Sequence, residues 1–265
     1  MELDDLNFYK KWFSDYCKSF YSPDIKDQKN IYLKEQHSFK VCRNIVEIVR
    51  GLSINDNRMV LAETIALFHD IGRFPQYAKY KTFRDSISVN HGLLGAQTLQ
   101  KEDVLKNLPE KEQELIIQAV KFHNAFSIPR KQKDDSLLFL KLIRDADKLD
   151  IWRVFIEYYE SPEVEKASAV NLELPDMPGY SEDVLSCLYK KQIVPLSKIK
   201  TLNDFKLLQL SWIYDLNFKP SLNLLSERDY IDRITSKLPQ TEEIRKASLS
   251  LKEFVCQQLK GGCGL

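Results

Sequence analysis

Four histidines make up the whole imidazole supply of this chain: His37, His69, His91 and His123. His69 is followed directly by Asp70 in the run Ile65-Ala66-Leu67-Phe68-His69-Asp70-Ile71-Gly72-Arg73. An imidazole and a carboxylate thus stand side by side at the end of an apolar helical stretch, with Gly72 as a helix stop and Arg73 as a fixed cation. Each of the four histidines falls on the apolar face of a separate predicted helix, at or near its end. One such histidine is ordinary core packing. Four of four is different, because every buried imidazole needs hydrogen-bond partners and a shared cation satisfies them together. Imidazole with carboxylate suits Fe, Mn, Zn, Co or Ni. Asp70 and one of Asp145, Asp147 or Asp150 bring the set to about six ligand side chains, too many for one tetrahedral metal. Two metals sharing Asp70 fit that number. Such a pair, about 3.5–4 Å apart, holds a hydroxide and clamps the attacking and leaving oxygens of a phosphoryl group.

The elements that must position these residues read as helices throughout. Phe8, Trp12, Phe13 and Tyr16 recur at helical spacing, a core stripe, until Ser22-Pro23-Asp24 breaks the pattern. From about Leu33 to Leu52, Val41, Ile45, Ile48 and Val49 form one amphipathic face, with His37 a turn before Val41. Asn55-Asp56-Asn57 caps a second helix from about Arg58 to Asp70, whose Leu61, Ala62, Ile65 and Ala66 put His69 inward. Residues 73–87 read as an irregular polar loop, long enough to face a substrate. A helix opening near Ser88 carries His91 in its first turn, where Gly92 and Gly95 permit close approach of a neighbour. Pro109-Glu110 starts the helix that ends at His123. Ser136 begins a long one that runs through Asp145, Asp147, Lys148 and Asp150 to about Tyr159. Ser161-Pro162-Glu163 reads as a further start and 172–179 as a loop. Helices follow near 181–191, 202–217, 226–237 and 241–259, then a glycine-rich tail. No alternating strand pattern appears, so the fold class is all-α. The expected division is a core of residues 1–160 and a helical extension of 161–265, or one continuous domain.

Composition excludes several classes. The 265 residues carry a formal net charge of +1, which gives no electrostatic case for nucleic acid or an anionic membrane surface. No apolar run approaches the ~20 residues that span a bilayer, and the acidic start lacks a signal-peptide layout. Five scattered cysteines without a C-x-x-C pair point to reduced thiols and a cytoplasmic location.

The order His37, His69-Asp70, His91, His123, Asp147 resembles the HD-domain metal-dependent phosphohydrolase superfamily in its six-ligand, binuclear form, over roughly residues 33–155. Its most specific pieces are Phe68-His69-Asp70-Ile71-Gly72-Arg73, similar to the H-D-I-G segment, and Asp145-Ala146-Asp147-Lys148-Leu149-Asp150, similar to the closing A-D-x-L-D segment. The resemblance implies a helical bundle, two divalent transition-metal ions and Asp147 as the sixth ligand, a choice that helical spacing leaves open. It also implies Asp70 as the bridging and proton-accepting carboxylate and Lys148 as a contact to substrate phosphate. Asp145 and Asp150 are either carboxylates that orient a histidine from behind or salt-bridge partners of Arg144, Lys148 or Arg153. Arg73 is either a phosphate clamp, by position and bidentate geometry, or a surface arginine after a helix stop; Lys40, Arg43 and the basic run Lys79–Arg84 are weaker candidates. After His123 the chain reads Asn124-Ala125-Phe126, unlike the cyclic-di-GMP phosphodiesterases of this ligand order.

The implied activity is hydrolysis of a phosphate ester of a nucleotide or another small phosphorylated metabolite, with no membrane or nucleic-acid partner. A mixed-valence di-iron oxygenase and a non-catalytic nucleotide sensor are the alternatives that the ligand list also admits.

Overall fold

The computed structural model describes residues 1–162 and 174–261, and it contains helices and no strand among them. None of these helices is long and apolar enough to cross a membrane. The described chain divides into two compact units, residues 1–150 and residues 151–162 with 174–261. The readings placed on Glu163, on 172–173 and on the tail 262–265 lie outside the described residues.

The first unit is built around α3 (Asp56–Phe68), with α1 (Leu3–Lys18), α2 (Ile25–Gly51) and α6 (Glu110–Phe122) packed on it. The Asn55 side chain caps α3 by accepting from the Arg58 backbone N–H. Ala62, Ile65, Ala66, Leu67 and Phe68 are all fully buried, so the last turn of α3 is apolar all round. The aromatic stripe of α1 closes over its end. Tyr9, Trp12 and Phe13 meet the Phe68 ring at centroid distances of 5.6, 6.0 and 6.3 Å. That packing fixes the chain one residue before His69.

Helix α2 begins earlier than its apolar stripe suggests. Asp24 caps it by accepting from Asp27, so Ser22-Pro23-Asp24 starts a helix of 27 residues. His37 therefore lies in mid-helix and not near an end. Residues 73–87 also differ from expectation, since they are not an irregular loop. Arg73–Tyr80 forms α4, followed by a 3-10 turn at Asp85–Ile87. Pro75 is tolerated there because a first-turn N–H has no helical partner in any case. Phe74 and Tyr77, one turn apart, are buried, and Phe74 packs against Phe13, Tyr16 and Phe20. Lys81 ends α4 in the left-handed region at φ 55.

Gly72 does not stop a helix by conformational freedom; its φ of −67 is open to any residue. It is needed for closeness. A Cβ there would stand 2.3 Å from the His91 carbonyl oxygen and 2.6 Å from the Gly95 nitrogen. Both are backbone atoms of α5 (His91–Lys101), which cannot yield as a side chain can. Gly72→Ala is expected to destabilise the first unit by about 1–3 kcal/mol. Urea unfolding measures this, and an unchanged midpoint would contradict the close approach. Gly92 plays the same part toward α6, where a Cβ would lie 2.9 Å from the Lys121 carbonyl oxygen.

Helix α7 (Asp134–Glu160) carries residues 134–150 in the first unit and its last turns in the second. The second unit adds α8 (Glu182–Tyr189), α9 (Leu202–Ser211), α10 (Lys219–Glu227), α11 (Tyr230–Thr235) and α12 (Glu242–Lys260). The helix expected near 226–237 is the short α11, and α10 before it is unexpected; Asp229 separates the two by turning left-handed at φ 54. The helix expected over 202–217 tightens to 3-10 geometry at Trp212–Asp215. Trp152, buried, donates its indole N–H to the Gln209 carbonyl at 3.0 Å.

Candidate metal centre

The four histidines come from four different helix positions and meet at one carboxylate. His37 projects from the middle of α2, and His69 and His123 are the residues that end α3 and α6. His91 is the first residue of α5, just after the cap Asn90. All four are buried, with Asp70 at 2% exposure. The two oxygens of Asp70 face different ways. Oδ2 lies 3.6 Å from His37 Nε2 and 3.7 Å from His69 Nε2. Oδ1 lies 3.3 Å from His91 Nε2 and 3.7 Å from His123 Nε2. Asp147 Oδ1 joins the first pair, at 3.1 Å from His37 and 3.6 Å from His69. One half is thus His37, His69, Asp147 and Asp70 Oδ2; the other is His91, His123 and Asp70 Oδ1.

The far side of each ring is held as well. His69 Nδ1 donates to the Ala66 carbonyl and His123 Nδ1 to the Val120 carbonyl, both at 2.7 Å. His37 Nδ1 donates to Asp150 Oδ2 and His91 Nδ1 to Asp85 Oδ2, again at 2.7 Å. Those oxygens only accept, so the Nδ1 protons are committed and each Nε2 faces the centre of the cluster, with His37 Nε2 also within hydrogen-bond reach of Asp147 Oδ1. There His91 Nε2 stands 3.0 Å from His123 Nε2, and His37 Nε2 stands 3.3 Å from His69 Nε2. Lone pairs crowded against each other and against carboxylate oxygens are repulsive unless positive charge lies among them. The donor set fits divalent metal binding. Three groups able to hold an ion use all six residues: His37 with His69 and Asp70, Asp70 with His91 and His123, and, across the two halves, His69 with His123 and Asp147.

Protonation cuts across this division, since His69 and His91, which shift alike, come from different halves. Burial pushes the His69 imidazole down, and burial followed by Arg73 pushes His91 down to about 3, so both stay neutral. Burial and Lys34 also work against charge on His37, but hydrogen bonds to Asp147 and Asp150 outweigh them and raise it. Burial would raise the Asp70 carboxyl; the Lys34 and Arg73 cations overcome it and hold Asp70 well below the usual range. Asp147 is held low against burial by its hydrogen bond with His37.

The other candidate residues are placed as follows. Asp150 is buried and orients His37 from behind. Asp145 is fully buried but stands in none of the metal-capable groups among the described residues. The Lys148 ammonium is 3.3 Å from the Arg144 carbonyl, one turn back along α7. Arg73 is turned inward: Nε lies 3.4 Å from Asp70 Oδ1, and its Nη1 donates to Asp85 Oδ1 at 2.9 Å and to the Phe83 carbonyl at 2.6 Å. Arg43 lines a separate groove with Lys10, Arg50 and Glu63. Lys81, from the basic run, pairs with Asp27.

Two residues of the centre are missing from the sequence reading. Lys34, one turn before His37, donates to Asp70 Oδ2 at 2.7 Å; its spacing of three from His37 was the available signal. Asp85 had none, because a turn residue between helices has no periodicity to reveal where it points.

Residues 35–152 match the family model of the HD domain, a stretch that includes all six ligand candidates. No curated protein and no solved structure matches the chain.

Proposed function

With this stretch as an HD domain, we propose that the chain is a metal-dependent phosphohydrolase that cleaves a phosphate ester of a nucleotide or another small phosphorylated metabolite. HD domains are generally hydrolase-like, which supports the reaction class. The observation that carries the two-metal form is the divided carboxylate of Asp70, one oxygen toward His37 and His69 and the other toward His91 and His123. His37, His69, Asp147 and Asp70 would hold one ion, and His91, His123 and Asp70 the other. When bound, such a pair lowers the pKa of water toward neutrality and offsets charge on a phosphoryl group.

The chain's own residues supply the rest. A general base works best with a pKa near the operating pH. Asp70 is far more acidic than that, so we assign it as a ligand ahead of proton acceptor. Lys148, directly after Asp147, and Lys34, beside Asp70, offer positive charge to phosphoryl oxygens. Arg73 stays with Asp70 and Asp85 and acts in our reading by holding both carboxylates in place.

The test is phosphate release from a panel of nucleotides and phosphomonoesters, after chelation and with Mn or Ni restored. Activity is expected to return with metal and to fall at least about a hundredfold in His69→Ala, on the order of 3 kcal/mol. Two bound irons with O₂-dependent turnover, or tight nucleotide binding without release, would overturn the proposal.

A further inference from the structure

Asp85 lies outside every ligand-bearing helix, yet both of its oxygens are hydrogen-bonded. Its Oδ2 accepts from His91 Nδ1 at 2.7 Å and from Asn124 Nδ2 at 3.2 Å. Its Oδ1 accepts from Arg73 at 2.9 Å and from the Gln76 amide at 2.9 Å. His91 and Arg73 hold its carboxyl well down against the effect of burial. A turn of three residues needs none of these bonds for its own sake.

The reason lies in how a helix supplies acceptors. His69 and His123 close their helices, so a carbonyl three residues back is in reach of each Nδ1. His37 finds Asp150 across a helix pair. His91 opens α5, and a first helical residue has no carbonyl of its own helix behind it. Its Nδ1 must find an acceptor elsewhere in the fold.

We propose that Asp85 is a positioning residue for the second metal: by accepting the Nδ1 proton of His91 it keeps Nε2 bare and aimed at Asp70 Oδ1. This rests on the two-metal reading above. It makes the His91–His123 half depend on a turn residue, while the His37–His69–Asp147 half depends on helices alone. Such an outer hydrogen bond is worth about ten- to a hundredfold in metal affinity.

The test is calorimetric titration of the chelator-stripped full chain with Mn²⁺, in wild type, Asp85→Asn, His91→Ala and the double variant. Wild type is expected to take up two ions. Asp85→Asn should keep one affinity and weaken the other about ten- to a hundredfold. In the His91→Ala background, Asp85→Asn should leave the remaining affinity unmoved. No change in Asp85→Asn, equal weakening of both sites, or a further loss in the double variant each overturns the role of Asp85. A wild type with fewer than two sites overturns the two-metal reading instead, and the inference with it. Should Asp85→Asn not fold, imidazole ¹⁵N shifts of metal-free wild type still decide. A proton on Nδ1 of His91 supports the role, and one on Nε2 contradicts it.

Discussion

Asp70→Ala is expected to empty both halves of the centre at once. Asp70 reaches both histidine pairs, with Oδ2 within 3.7 Å of His37 and His69 and Oδ1 within 3.7 Å of His91 and His123. Removing it also takes the acceptor from the half-buried Lys34 ammonium, which donates to Oδ2 at 2.7 Å, while Arg73, 3.4 Å from Oδ1, keeps Asp85. An uncompensated charge in such a place costs far more than the pair contributes. Phosphate release should fall about a thousandfold or more, on the order of 4 kcal/mol. Metal content by mass spectrometry should drop in both sites. His91→Ala, by contrast, removes a ligand from one half only. Unchanged metal content in Asp70→Ala would show that the carboxylate is not shared.

The largest effect on stability is expected from Phe68→Ala. Phe68 is fully buried and meets three rings of α1 edge-on. Its removal leaves a cavity that α1 and α3 cannot both move to fill, at a cost of about 3–5 kcal/mol. Urea unfolding of the first unit measures the loss. Because Phe68 precedes His69 directly, weaker metal binding should accompany it. Phe68→Leu, which keeps most of the volume, should cost much less. A cost under about 1 kcal/mol for Phe68→Ala would mean that the aromatic cluster does not anchor this end of α3.

The helical character of the chain and the identities of the converging histidines were legible because both follow from local periodicity. Leu61, Ala62, Ile65 and Ala66 point one way on any helix, so His69 was bound to face inward. The choice among Asp145, Asp147 and Asp150 was not legible from spacing, since a helix turns through both faces within five residues. Resemblance singled out Asp147, and the geometry gives each carboxylate a distinct place: Asp147 toward His37 and His69, Asp150 behind His37, Asp145 buried outside the cluster. Helix α4 was hidden by its polar composition, since only Phe74, Gln76 and Tyr77 of its eight residues are buried. Gly72 carried a true signal with another cause, a close backbone approach that sequence cannot distinguish from a helix stop. Arg73 looked like a free clamp because its acceptors, Asp85 and the Phe83 carbonyl, come from a turn whose path is set by tertiary packing.

The central claim is one carboxylate shared by two metals. Anomalous X-ray scattering from crystals of the full chain grown with Mn²⁺ tests it most directly. Two peaks are expected about 3.5–4 Å apart, one beside His37, His69 and Asp147 and the other beside His91 and His123, each in contact with a different oxygen of Asp70. A single peak, or two peaks that do not share Asp70, would contradict it.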